Sequence, residues 1–302
     1  MSEVALFKYA VMGFCGVAGA WIVFSFARSG KLSKIAKFFL ISLLSLAALF
    51  VYAFVIEPNW IQVHRVHIQD SKLAEVIGET RIVQITDIHM TEGMGFREKQ
   101  LVFLVNSLQP DLIMITGDFM DDRSQLPYFK ELVAKLDAKL GVFAVPGDTD
   151  HLVMPTAALK KELAPAGVDI LANESRKLRL MNRNILWLAG SDNPRFNKAL
   201  LDQTLRGIPA GVPLILLAHQ PDMLDEASKR GVNLILAGDT HGGQIGIPGL
   251  VKLSDYANQS KYMNGLFEKA GTQMYVNRGI GTKTIPVRFL CRPEIAVIEV
   301  EK

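Results

Sequence analysis

Five short stretches carry the residues able to do chemistry: Asp87-Ile-His89, Gly117-Asp118, Gly147-Asp-Thr-Asp-His151, His219 and Gly238-Asp-Thr-His241. Carboxylates and imidazoles are the donors that hard and borderline divalent cations take. Any one such Asp or His is ordinarily a cap or a loop residue. Five stretches that each follow an apolar run are a different matter. Together they suit two divalent cations a few ångströms apart, sharing a bridging carboxylate and a hydroxide. A glycine beside a ligand lets the backbone turn sharply and keeps the site open. Metal-assisted hydrolysis of a phosphoester is the chemistry such a site serves. No phosphate-binding Gly-rich loop, nucleophile-elbow serine or zinc-finger spacing points elsewhere.

The elements that must position these residues alternate along the chain. Apolar runs at 81–87, 111–116, 141–145, 185–189, 214–218 and 232–237 read as strands, and 273–276 and 295–299 as closing β-structure. Helical patterns at 98–108, 128–136, 156–163, 198–205 and 223–229 separate them. Such alternation predicts an α/β fold with parallel strands, whose ligands lie beyond the carboxyl ends of the strands. Every candidate stretch falls at such an end. The alternation of Ile61–Ile68 makes His64 and His67 strand residues rather than ligands. Asp70, Asp121, Asp122 and Asp150 read as turn or capping residues, Asp150 being also placed to orient a neighbouring ligand. The aromatics Phe196, Tyr256, Tyr262 and Phe267 read as loop packing.

Asp-x-His, Gly-Asp, Gly-Asn-His-Asp, His and Gly-His-x-His form the signature of calcineurin-like metallophosphoesterases, which the chain resembles from about Arg81 to Val300. Its ending is similar to a branch of membrane-anchored bacterial phosphodiesterases related to UDP-diacylglucosamine hydrolases. Gly242-Gly-Gln244, Tyr262–Gly265, Gly271–Gly281, Ile285-Pro-Val-Arg288 and Arg292-Pro-Glu294 carry that likeness. The resemblance implies a four-layer α/β/β/α sandwich. It implies one metal on Asp87, His89 and His241, with Asp118 bridging to a second on Asp148, His219 and Asp239. A metal-bridging hydroxide would attack phosphorus in line.

Three positions depart from the pattern, and all lie on or beside the second metal: Asp148 for Asn, Thr149 for His, and Asp239 for His. With two divalent ions and a hydroxide, the family's two carboxylates leave one net positive charge. The four here, Asp87, Asp118, Asp148 and Asp239, leave one net negative charge. A phosphate dianion is then repelled unless a trivalent ion, a protonated Asp or a nearby Arg compensates, Arg278 and Arg288 being the candidates for the last. Carboxylates in place of amide and imidazole favour Mn²⁺ or Mg²⁺ at the second site, with Fe or Zn open at the first. Thr149 removes an imidazole that contacts the phosphoryl group or assists the leaving group in the family. Loss of a general acid costs on the order of 10²–10⁴-fold. His151 is the nearby candidate to replace it, and a pyrophosphate linkage is the substrate that tolerates its loss best.

Charge and hydropathy divide the chain in two. Forty of the first 56 residues are apolar, and that segment holds Lys8, Arg28, Lys31, Lys34 and Lys37 against Glu3 alone. The remaining 246 residues are one charge to the acidic side of neutral, so the basic balance gives no reason to expect a nucleic-acid partner. Val4–Ala27 and Phe38–Ile56 are each near the ~20 residues of a membrane-spanning helix. They predict a transmembrane hairpin over 1–56 followed by a catalytic domain over 57–302. The basic loop 28–37 places itself on the cytoplasmic side of a bacterial inner membrane, and the domain on the outer side. A cytoplasmic domain is the alternative. Cys15 and Cys291 are too differently placed to pair. The expectation is a membrane-anchored phosphohydrolase of phosphodiesters or pyrophosphates, with the bilayer and a phosphoester on a lipid or nucleotide-linked lipid as partners. Its rival is a membrane-tethered regulatory protein with a degraded second metal site.

Overall fold

Ile82–Ile85, Leu112–Thr116, Val142–Val145, Leu214–Leu217 and Leu234–Ala237 are buried along their whole length. Strands tolerate that only where both faces of a sheet are covered. In the computed structural model they form the centres of two six-stranded sheets. The structure describes residues 34–193, 201–247 and 260–302, with single positions between 19 and 28.

The first sheet contains β1 (Gln62–Gln69), β2 (Ile82–Ile85), β3 (Leu112–Thr116), β4 (Val142–Val145), β5 (Val168–Ile170) and β12 (Glu294–Glu301), in the order β1-β12-β2-β3-β4-β5. The second contains β6 (Glu174–Arg179), β7 (Ile185–Gly190), β8 (Leu214–Leu217), β9 (Leu234–Ala237), β10 (Gly265–Lys269) and β11 (Thr272–Val276), in the order β10-β11-β9-β8-β7-β6. The strands carrying the candidate site, β2-β3-β4 and β7-β8-β9-β11, pair in parallel, so their carboxyl ends share one edge.

Period-two alternation sorts the side chains into three cores. Ile82, Leu112, Met114 and Val145 meet Leu186, Leu188, Ile215 and Leu236 between the sheets. Val83, Ile85, Ile113 and Ile115 face outward onto the helices Phe96–Ser107, Leu126–Val133 and Thr156–Leu163. Leu214, Leu216 and Ile235 face the short helices Leu201–Thr204 and Leu224–Ala227. Three cores separate four layers, helix, sheet, sheet and helix.

The strands expected from the sequence are present, with ends shifted by up to two residues. The sequence reading left out β5, β6, β10 and the helices Ser71–Ile77 and Asp148–Val153. β6 and β10 are edge strands with no fully buried residue and several charged ones, so they carry little apolar signal. Helix Ser71–Ile77 starts at Asp70, which caps it by accepting the Leu73 N–H at 2.9 Å.

Of the two expected membrane spans, the second is described. Helix Lys34–Val51 runs on through one π-helical turn, Tyr52–Ile56, into a 3₁₀ turn ending at Asn59. It is the one helix among the described residues that is long and apolar enough to cross a membrane. Most of the first expected span lies outside the described residues. Trp21 is described, and its ring packs edge-on against Phe39, with centroids 5.7 Å apart.

The end of this helix is seated on the domain. The buried Glu57 carboxylate accepts the N–H groups of Leu290 and Cys291, Ala53 O accepts the Arg288 N–H, and Tyr52 meets the Phe289 ring edge-on.

Candidate metal centre

The chain turns sharply after each parallel strand, and the turning residues are themselves the candidate ligands. Five of the twelve described non-glycine residues with positive φ are Asp87, His89, Asp118, Asp239 and His241. Left-handed backbone is sparsely populated for such residues and concentrates at functional sites. Glycines make the close approaches. A Cβ on Gly147 would lie 2.3 Å from both the amide nitrogen and Oδ1 of Asp118, and one on Gly238 would lie 2.5 Å from Asp87 Oδ2.

Ligand atoms of Asp87, His89, Asp118 and His241 lie within 4.8 Å of one another, and all four residues are buried. His89 Nε2 and His241 Nε2 are 3.1 Å apart. Two nitrogens on one tetrahedral ion, with bonds of about 2.0–2.1 Å, sit at about 3.3 Å. His89 Nε2 is 3.5 Å from Asp118 Oδ2, and His241 Nε2 is 3.4 Å from Asp87 Oδ1. Two carboxylates and two imidazoles aimed at one buried point fit a divalent cation.

Hydrogen bonds from behind set these donors. Asp121 accepts from His89 Nδ1 at 2.7 Å, which turns Nε2 toward the site. Thr86 Oγ1 donates to Asp87 Oδ2 at 2.8 Å, and the Asp239 N–H reaches the same carboxylate. Thr149 N–H donates to Asp118 Oδ1 at 2.9 Å. Asp150 ties two loops together, accepting Phe119 N–H and Gly147 N–H at 2.9 and 2.8 Å.

His219 and Asp239 lie beside this group. His219 Nδ1 donates to Thr116 O at 2.8 Å, leaving a buried Nε2 without a hydrogen-bond partner. That nitrogen is 3.5 Å from Asp118 Oδ1 and 3.5 Å from Asp239 Oδ1. Asp118 therefore presents Oδ2 to His89 and Oδ1 to His219, the disposition of a bridging carboxylate. Asp148 Oδ1 accepts from Asn193 Nδ2 and from Gln220 Nε2.

The electrostatics follow from five buried carboxylates in one place, Asp87, Asp118, Asp148, Asp150 and Asp239. Burial, reinforced by Asp118 and Asp239, pushes Asp87 up to about 6. Burial with the Asp118 charge pushes Asp150 up to about 7. Burial pulls His219 down, but Asp118 and Asp239 outweigh it and hold it well above the usual histidine range. His241 is driven well below that range by burial and by His89.

The remaining candidates are placed as follows. Thr149 Oγ1 is buried without a hydrogen-bond partner. His151 Nε2 is 2.8 Å from Asp192 Oδ1, and Asp192 Oδ1 also accepts Asn193 N–H at 2.9 Å, so hydrogen bonds link His151 to Asp148 through residues 192 and 193. Arg278 is paired with buried Glu294. Arg288 is fully buried and donates to the carbonyls of Gly281, Cys291, Arg278 and Gly279. The cation brought to the carboxylates is Lys283, whose Nζ lies 3.3 Å from Asp118 Oδ2.

Sequence reasoning did not single out Lys283, Asn193 or Gln220, and it took Asp121 for a turn residue. Lys283 lies two residues beyond Gly271–Gly281 and could have been found as the one Lys between that stretch and Ile285. No comparable signal marks Asn193 or Gln220. Asp121 joins His89 across 32 residues, by the pairing of the two loops. Phe196, Tyr256 and Cys15 lie outside the described residues. Tyr262 and Phe267 pack edge-on at 5.0 Å, and Cys291 is a buried free thiol.

Parallel strand ends and a buried Asp/His cluster that could hold a metal ion are the features of this site. Residues 80–243 match the family model of the calcineurin-like phosphoesterases, and the chain belongs to that family. It is 30% identical over 250 residues to the uncharacterized metallophosphoesterase YkuE of Bacillus subtilis, covering 82% of this chain and 87% of that one. It is 25% identical to phosphodiesterase YaeI of Escherichia coli, covering 83% and 92%. A transmembrane protein with metallophosphoesterase domain from Danio rerio is 30% identical over 85% of this chain and 61% of its own. The chain is thus an enzyme of a metal-dependent hydrolase family.

Proposed function

We propose that the chain is a membrane-anchored, metal-dependent phosphohydrolase that cleaves a phosphodiester or pyrophosphate bond of a substrate held at the membrane surface, a lipid or nucleotide-linked lipid. The observation that carries this reading is the buried group Asp87, His89, Asp118 and His241 at the strand ends. Asp118, Asp148, His219 and Asp239 are the ligands proposed for a second divalent ion. Bound there, divalent cations polarise a phosphoryl oxygen and lower the pKa of water.

The chain's own residues supply the rest. Asp121 and Thr116 O hold His89 and His219 in one orientation, so that no reorganisation is needed during reaction. Thr149 offers a hydroxyl that donates one hydrogen bond but delivers no proton near neutral pH. Leaving groups that need little protonation, such as a phosphate of a pyrophosphate, suit that arrangement.

The seated anchor supports a membrane-surface substrate. Cys291, held by Glu57, donates its thiol to His241 O at 3.3 Å, so a short path links the helix end to a ligand loop. Exposed Trp60, Ile245 and Leu290 stand around that helix end. The basic loop 28–37 favours an outward-facing domain at a bacterial inner membrane. Cytoplasm-only reporter activity from a fusion at Lys302 would reverse that orientation.

Metal content per chain, with hydrolysis of bis(4-nitrophenyl) phosphate in Mn²⁺, tests the function. At least one bound ion and turnover abolished by Asp118→Ala are expected. Less than one ion and no turnover in wild type would leave the tethered regulatory protein standing instead.

A further inference from the structure

We propose that Lys283 is the phosphoryl-binding cation of this centre, resting on the hydrolase reading above. Its ammonium lies 3.3 Å from Asp118 Oδ2, the carboxylate shared by both ligand sets. Its side chain is about one-third exposed, so it can reach a substrate entering from solvent.

The loop that carries it is built in. Lys283 N–H donates to Gln244 Oε1 at 2.6 Å, and Gln244 Nε2 returns a bond to Lys283 O at 3.1 Å. Gln244 lies three residues beyond His241. Two residues before Lys283, Gly281 N–H donates to Asp87 O at 2.6 Å, and Gly281 O accepts from buried Arg288. Both ends of the lysine's loop are thus tied to segments that carry metal ligands, which fixes where its side chain starts.

The charge balance gives this position a purpose. Two divalent ions, a hydroxide and four carboxylates leave one net negative charge, a poor host for a phosphoester anion. One ammonium returns the site to neutrality. The same ammonium presents three N–H donors to a centre from which Thr149 has removed an imidazole. Arg278 and Arg288 are engaged with Glu294 and with backbone carbonyls, whereas Lys283 faces the carboxylates. One lysine thereby answers all three departures at positions 148, 149 and 239.

The test uses the full chain in detergent, loaded with Mn²⁺, and measures inorganic phosphate binding by calorimetry. Lys283→Met should weaken phosphate about 10–100-fold, the size of a lost charged hydrogen bond. Lys283→Arg should restore most of it, and Mn²⁺ per chain should stay the same in all three proteins. With bis(4-nitrophenyl) phosphate, the Met variant should show raised KM as well as lowered kcat. Phosphate affinity within twofold of wild type in Lys283→Met would overturn the proposal. So would a gain of bound Mn²⁺ in that variant, which would make the ammonium a stand-in for an ion. A wild type that binds no Mn²⁺ would overturn the hydrolase reading itself, and the metal measurement shows this before phosphate is added.

Discussion

The Asp121 carboxylate lies 2.7 Å from His89 Nδ1, while the opposite nitrogen of the same ring lies 3.1 Å from His241 Nε2. An exposed loop aspartate therefore decides which nitrogen of a buried histidine meets the metal. Asp121→Ala should weaken metal binding by about 10–100-fold, as loss of a partner behind a ligand does elsewhere. Competition with a chelator measures this, and an unchanged affinity would remove Asp121 from the site.

Thr149 stands where the family keeps a histidine, and its hydroxyl is buried without a partner. Wild type should turn over diphosphates and aryl diesters in preference to alkyl monoesters. Thr149→His should raise alkyl ester turnover, by up to the ~10²-fold lower bound of general acid catalysis. Vigorous hydrolysis of alkyl monoesters by wild type, with none of diphosphates, would refute this.

Gly147 packs its α-carbon side against Asp118 so closely that a Cβ would sit 2.3 Å from the Asp118 amide nitrogen. Gly147→Ala must push Asp118 away. It should cost about 1–3 kcal/mol of stability by overpacking and lower metal occupancy. Denaturant titration and metal analysis report the two effects separately.

Glu57, at the foot of the N-terminal apolar helix, accepts two backbone N–H groups, of Leu290 and Cys291. Glu57→Ala strands the buried Cys291 N–H, at about 1–3 kcal/mol, while the more exposed Leu290 N–H can turn to water. The melting temperature of the detergent-solubilised chain should fall accordingly, whereas a surface change such as Lys269→Ala should leave it in place.

Asp87 is raised to about 6 by burial, from 3.8. Between those values the folded protein holds a proton that the unfolded chain has released, so metal-stripped protein loses stability as pH rises through this window. Asp150, raised to about 7, and His219, raised well above 6.5, act with the same sign, while depressed His241 opposes them. Metal binding needs Asp87 ionised, so Mn²⁺ affinity should fall as the pH drops below about 6. Melting curves of stripped and loaded protein across pH 4–8 should therefore converge at the acid end. Asp87→Asn should flatten the stripped protein's dependence.

The candidate ligands could be picked out in the sequence because each follows a largely apolar run that reads as a covered strand. Parallel strands then bring their carboxyl ends to one edge, so Asp87, His89, Asp118, His219 and His241 could be grouped without coordinates. The departures at Asp148, Thr149 and Asp239 were equally plain, being differences of residue type at motif positions. What the sequence could not determine was which groups stand behind or opposite those ligands. Asp121, Asn193 and Lys283 come from loops 32, 45 and 165 residues away from their partners His89, Asp148 and Asp118. No periodicity records such contacts, because loop side chains answer to neither the strand nor the helix period. Arg278 and Arg288 show the same limit from the other side. Sequence proximity to the motif made them candidates to offset the carboxylates, yet Glu294 and four backbone carbonyls hold them. Composition fixed how much charge the centre carries, and tertiary packing alone decided which cation faces it.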